Sequence, residues 1–347
     1  MSCILNIDHF TLPNDIVVLL TKIYKYVGKN EYYENVIGSN KNRVIDQTVE
    51  KDSYFLSKIL KLNLTEARTK LIINKDSIPR NKDETTLFNV KDILLSIQLK
   101  YENLGFQSND VLNMINYVYR HFKQNVKFDY VQTEKRSLLQ SQGMKSKRLV
   151  LDNIIDNINL HLKNESYEKL ILFLHYFIDI YNLKPFTARN DLGALLLIYE
   201  LLLKSDIHAF KYVSFFELLS EDFINFNEIL CRSCVNWQEG YANTFEFIRY
   251  FLMFILKAYG KTEELVKNQK FDQNTKKHES IENTILNMRE IFTKDEIRLI
   301  HPYVSESTIN RALIKLRDEG LIAPLGKGRS AKWTRKSRGY NYDNFLK

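Results

Sequence analysis

The apolar positions of this chain fall mostly at three- and four-residue spacings with few alternating runs, a pattern that predicts a mainly helical protein. The densest stretch runs from Leu170 to Leu203. Its first half, through Ile171-Leu172-Phe173-Leu174, Tyr176-Phe177-Ile178 and Ile180-Tyr181, is interrupted only by His175, Asp179 and Asn182. Its second half runs from Leu192 to Leu203, with Gly193 near the start. A helix that is apolar on all sides belongs in the middle of a bundle. Between the two lies the polar connection Lys184-Pro185-Phe186-Thr187-Ala188-Arg189-Asn190-Asp191. A loop at the head of a buried helix offers free backbone N–H groups and a partial positive charge, so this connection is the first place to look for an anion site.

The same periodicity places the other helices. Asn14-Asp15 opens one that carries Ile16, Val17, Leu19, Leu20, Ile23 and Tyr24 and stops near Gly28. Others are expected from Glu84 to Asn103, from Asp110 to Lys123 with Val111, Met114, Ile115, Val118 and Tyr119 on one face, and from Asp152 to Leu162. Val36 to Val44 is polar and reads as a loop, and Asn125 to Arg148 lacks apolar periodicity. More bundle helices fill Phe215 to Tyr259, after which the polar stretch from Gly260 to Lys277 reads as a linker. The expected organisation is an N-terminal helical region (1–105), a core (106–260), a linker (261–278) and a C-terminal domain (279–347).

That last domain has its own pattern. Ile281 to Met288 forms one helix, Thr293 caps a second through Leu299, and Ser305 caps a third that runs to Glu319 before Gly320. Ile309, Ala312, Leu313 and Leu316 give the third helix a core face, which leaves Ser307, Asn310, Arg311 and Lys315 towards solvent. Leu321-Ile322-Ala323 and Ala331-Lys332-Trp333-Thr334 then read as strands around Gly326-Lys327-Gly328-Arg329-Ser330. Three helices and a basic hairpin make a winged helix-turn-helix. Lys327, Arg329, Lys332, Arg335, Lys336 and Arg338 concentrate cations on its wing and tail, a footprint for the phosphate backbone of double-stranded DNA. The same module can also serve dimerisation or packing, so a homodimer is the competing expectation.

Composition adjusts this picture only slightly. With 347 residues, 44% hydrophobic and 27% charged, the chain can bury a sizeable core. A formal net charge of +8 favours anionic partners, although a lysine-rich composition gives the same balance without one. Three cysteines, Cys3, Cys231 and Cys234, suit a reducing cytosol and no disulfide framework. The first ten residues lack the pattern of a signal peptide, and no apolar run reaches the length of a membrane span, so a cytoplasmic protein with no membrane partner is expected.

The central connection resembles the Fic signature H-P-F-x-[D/E]-G-N-G-R in a worn form. Pro185, Phe186 and Asn190 match it. Lys184 stands where the family has its catalytic His, Ala188 where it has the metal-binding acid, Arg189 and Asp191 where it has glycines, and Leu192 where it has the phosphate-gripping Arg. Flanking stretches are also similar to Fic proteins with a C-terminal winged helix. These are Leu12-Pro13 through Tyr33, Ile78-Pro79-Arg80-Asn81-Lys82, Tyr212-Val213-Ser214, Trp237-Gln238-Glu239-Gly240 and Phe247 to Leu252. The resemblance implies a mainly α, Fic-like bundle with a C-terminal winged helix domain. It also implies the family's chemistry, transfer of AMP from ATP with Mg²⁺ onto a protein hydroxyl, as the alternative to an inactive protein that binds DNA or a protein partner in the old target groove.

Each replaced residue removes part of that chemistry. The His is the general base, the acid and ATP hold Mg²⁺ through oxygen, and the glycines let backbone approach phosphate. No catalytic residue or metal ligand is therefore expected, and Asn190 and Arg189 are what remains for a nucleotide. Fic proteins that silence themselves from the N-terminal side carry [S/T]-x-x-x-E-[G/N]. Ser39 fits its first position, but Arg43 and Val44 replace its Glu and small residue. The family's flap, which holds a target segment by strand addition, would fall near Val131-Gln132-Thr133, where a plain surface loop is the other reading. His175 and Trp237 read as core residues, and Cys231 and Cys234 as helix-face packing rather than a redox pair.

Overall fold

The computed structural model describes residues 2–132, 144–274, 277–302, 304–326 and 331–335. Lys327, Arg329, Lys336 and Arg338 of the expected wing and tail, and Thr133 of the expected flap strand, lie outside the described residues. The helices are α1 (Asn14–Val27), α2 (Asn30–Ile37), α3 (Lys41–Ile59), α4 (Glu66–Lys75), α5 (Lys82–Lys100), α6 (Ser108–Val118), α7 (Lys147–Lys163), α8 (Lys169–Leu183), α9 (Asn190–Lys204), α10 (Phe215–Glu221), α11 (Phe223–Ser233), α12 (Phe245–Asn274), α13 (Lys277–Asn287), α14 (Lys294–Ile300) and α15 (Glu306–Asp318). The strands are β1 (Tyr130–Gln132), β2 (Met144–Ser146), β3 (Ile291–Thr293), β4 (Ile322–Pro324) and β5 (Lys332–Arg335).

Two compact units result, one from Met1–Glu31 with Ile45–Thr262 and the other from Tyr32–Val44 with Glu263–Lys347. The first is a helical bundle around α8 and α9, in which every residue from Leu170 to Ile180 and from Leu192 to Leu203 is buried. Their polar members are satisfied inside. His175 donates from Nδ1 to the Ile171 carbonyl (2.9 Å) and accepts at Nε2 from the Thr244 hydroxyl (3.0 Å), which makes it a core histidine. Asp179 accepts from Ser2 Oγ (2.6 Å), Cys3 N (2.6 Å), Ile4 N (3.0 Å) and Trp237 Nε1 (2.7 Å), fastening the N-terminal segment to the central helix. Gly193 lets α6 approach the first turn of α9, because a Cβ there would lie 2.7 Å from Ile115 Cδ1.

The second unit closes its own core around Ile281, Phe292, Ile297, Ile309, Leu313, Leu316 and Trp333. Helices α13, α14 and α15 pack with an antiparallel three-stranded sheet in the order β3-β5-β4, registered by Phe292 opposite Trp333 and Ala323 opposite Thr334. Both expected caps form. The Thr293 hydroxyl accepts from Glu296 N while the Glu296 carboxylate accepts from Thr293 N, and the Ser305 hydroxyl accepts from Thr308 N. Strand β3 was not expected.

Two stretches differ from their sequence reading. Residues 36–44 are helical, with α2 continuing to Ile37, a single 3-10 turn at Gly38–Asn40 and α3 starting at Lys41. Gly38 supplies the positive φ (55°) that lets the chain turn there. The polar stretch taken for a linker is likewise helical through Asn274, since Thr262, Val266 and Gln269 form a buried stripe at helical spacing.

Candidate functional site

Helix α8 starts where the Glu168 carboxylate accepts from Leu170 N (2.8 Å) and Ile171 N (2.7 Å), and it ends at Lys184, whose left-handed φ of 44° turns the chain out. The connection that follows is a clasp. Asn190 Oδ1 accepts from Phe186 N (2.9 Å) and Asn190 Nδ2 donates to the Phe186 carbonyl (2.7 Å), so both ends of the carboxamide are engaged within the loop. The Phe186 ring is buried against Phe128.

The segment before β1 runs antiparallel along this loop. Asp129 N donates to the Pro185 carbonyl (2.8 Å), Thr187 N donates to the Lys127 carbonyl (2.9 Å), and Phe128 bridges Phe186. Lys147 completes the seam, donating to Asp129 Oδ2 (2.8 Å) and to the Lys184 carbonyl (3.1 Å). Its ammonium holds the Asp129 carboxyl below the usual carboxylate range. Val131 and Gln132 of the expected flap strand do lie in β1, paired with β2 through Val131–Lys145 and Gln132–Met144.

The other positions of the connection lie apart from this clasp. Lys184 is exposed, its Nζ 6.0 Å from the centre of the Tyr181 ring. Ala188 is exposed and offers no oxygen from its side chain. Leu192 is 1% exposed and belongs to the core. Arg189 adopts a positive φ of 60°, the conformation a glycine would favour, and its guanidinium lies over the Tyr119 ring (4.5 Å). Mg²⁺ does not fit this set, since it demands oxygen ligands and no group of His, Cys, Asp or Glu side chains among the described residues is arranged to hold a metal. What stands beside the loop is a cleft of about 360 Å³, walled by Phe177, Tyr181, Leu195, Phe226 and Leu230 and flanked by Arg189 and Asp191.

Compared with solved structures, the chain is 14% identical to a Fic family protein from Desulfovibrio desulfuricans G20, with a TM-score of 0.52 over 95% of this chain and 98% of that one. It is 16% identical to a Fic domain containing signaling protein from Bacteroides thetaiotaomicron VPI-5482, with a TM-score of 0.51 over 72% of this chain and 98% of that one. No family model and no curated protein matches the sequence. The bundle around α8 and α9 is thus a Fic-like fold. The fold shared with these two structures is mainly α.

The winged-helix candidates are arranged unequally. Ser307, Arg311 and Lys332 are exposed. Asn310 is half-buried, with Oδ1 out of solvent and without a hydrogen-bond partner among the described residues. Lys315 is exposed, as its position on the helix suggested, and its ammonium is also bound by both Glu282 oxygens (2.9 and 2.7 Å) across the α13–α15 contact. Arg43, at the place of the family's inhibitory Glu, donates to the Val304 carbonyl in the turn between α14 and α15 (3.2 Å). Neither pairing was legible locally, since the partners lie 33 and 261 residues apart.

Proposed function

We propose that this Fic-like protein no longer transfers AMP and binds duplex DNA through its C-terminal winged helix. The observation that carries the reading is the arrangement of α15. Its Ile309, Ala312, Leu313 and Leu316 face is buried in the core of the second unit, while Ser307 and Arg311 are exposed on the same helix. A helix set this way in a helix-turn-helix presents donors to base edges in a major groove, and Lys332 on β5 adds a cation for phosphate. Loss of transfer chemistry is supported by the replaced base, metal ligand and phosphate grip at Lys184, Ala188 and Leu192.

Fluorescence anisotropy of the full chain with random and genomic duplexes across a salt series tests this. Each neutralised phosphate releases condensed counterion, so log affinity should fall with log salt at roughly 0.9 per contact. Arg311→Ala should lower discrimination between sequences, whereas Lys332→Ala should weaken all duplexes alike and flatten the slope by about one unit. Absence of binding to any duplex at low salt contradicts the reading. A second reading, a protein-contact module, is favoured by exposed Leu299 and Ile314 on α14 and α15. A concentration-dependent dimer in sedimentation, without duplex binding, would select it.

A further inference from the structure

The cleft beside the motif loop is walled by aromatic and aliphatic side chains, with Phe177, Phe226 and Leu230 buried and Leu192 packed where the Fic signature has a cation. Its volume of about 360 Å³ suits a small organic ligand. Two charges of opposite sign also line it, Arg189 and Asp191, both exposed and both at the head of α9. Among the described residues neither takes part in an ion pair, with the other or with any other side chain. Arg189 lies over Tyr119, and a guanidinium stacked on a ring keeps N–H donors for a carboxylate. Tyr181 adds a neutral hydroxyl to the wall, its ionisation pushed up to about 12 by burial and by nearby Cys231 and Asp191.

We propose that this cleft binds a free amino acid with an aromatic or large aliphatic side chain, which fills the cleft while its α-carboxylate meets Arg189 and its α-ammonium meets Asp191. A nucleoside triphosphate fits poorly, because among the described residues lining the cleft Arg189 is the one cation, Asp191 opposes it and Leu192 supplies none. A peptide terminus brings only one of the two charges. A zwitterion on an apolar body satisfies both and leaves neither group unpaired on desolvation. The site is independent of the DNA-binding reading and stands or falls without it.

Isothermal calorimetry on the full chain with L-tryptophan, tryptamine and N-acetyl-L-tryptophan tests the assignment, since the second probe lacks the carboxylate and the third lacks the ammonium. L-tryptophan should bind at least tenfold more tightly than either. Arg189→Ala should weaken L-tryptophan at least tenfold and leave tryptamine unchanged, and Asp191→Asn should do the same relative to N-acetyl-L-tryptophan. Both positions are exposed, so thermal melts should match the parent. Asn227→Trp, at the half-buried wall of the cleft, should abolish binding of all the probes. The proposal is overturned if neither L-tryptophan nor L-phenylalanine binds the parent chain, if the two charge variants leave L-tryptophan affinity unchanged, or if ATP binds and Arg189→Ala removes it.

Discussion

Asp179→Ala should destabilise the helical unit by about 3–5 kcal/mol, a large share of the roughly 5–15 kcal/mol that holds a typical domain together. The carboxylate is fully buried and accepts from four donors, the Ser2 hydroxyl, the Cys3 and Ile4 amides and the Trp237 indole. Truncation leaves those donors buried without a partner, which costs about 1–3 kcal/mol for each one that water cannot reach. Asp179→Asn keeps one acceptor oxygen and should lose about half as much. The measurement is urea unfolding at neutral pH. The Cys3 thiol gives a local readout, because burial first and Asp179 second hold its ionisation far above the usual range. Its reaction with a thiol reagent should therefore quicken in Asp179→Ala even at temperatures where the fold persists. Unchanged stability with unchanged Cys3 reactivity would show that the segment is held by other contacts.

The second large effect depends on pH. Glu200 is fully buried on α9, neither of its oxygens has a hydrogen-bond partner among the described residues, and burial raises its carboxyl from the usual 4.5 to about 8. Lys204, 3.6 Å away, opposes the shift without cancelling it. The folded state therefore binds a proton that the unfolded chain has released between about pH 4.5 and pH 8. Its contribution is complete below pH 4.5 and is lost as pH rises through 8. Glu200→Gln removes that loss and should stabilise the protein by about 4 kcal/mol at pH 9 relative to the parent, with little difference at pH 4.5. Part of the slope should remain in the variant. Asp52 is raised to about 7 by full burial despite hydrogen bonds from Ser214, Phe216 and Tyr199, and it loses stability over the same direction of pH. Chemical unfolding from pH 5 to pH 9 checks both, and a variant whose pH profile matches the parent would contradict the account of Glu200.

The sequence made the frame legible because its signals are local and strong. The all-apolar α8 and α9 could only be central, and the Thr293 and Ser305 caps with the Ile309, Ala312, Leu313 and Leu316 stripe fixed two helices of the second unit. Less visible elements are short or carry their burial on polar residues. Strand β3 buries one side chain, Phe292, and a three-residue strand leaves no periodicity to read. The later half of α12 hides its buried stripe behind Thr262 and Gln269, so composition suggested a linker where packing holds a helix. At the site, the clasp of Asn190 on Phe186 was not legible, because it exists only once the chain has turned. The Lys147–Asp129 seam and the Arg189–Tyr119 stack join residues distant in sequence, and no local signal marks them.

The central proposal is that the loop between α8 and α9, set in a Fic-like fold, does not support AMP transfer. Incubating the full chain with α-labelled ATP and Mg²⁺, alone and with candidate protein targets, and resolving the products by denaturing electrophoresis tests it most directly. The account predicts no incorporation above background, and none in Lys184→His either, because Ala188 still lacks a metal-binding oxygen and Leu192 still occupies the place of the phosphate grip. Label on the chain or on a target protein that disappears in Lys184→Ala would contradict it.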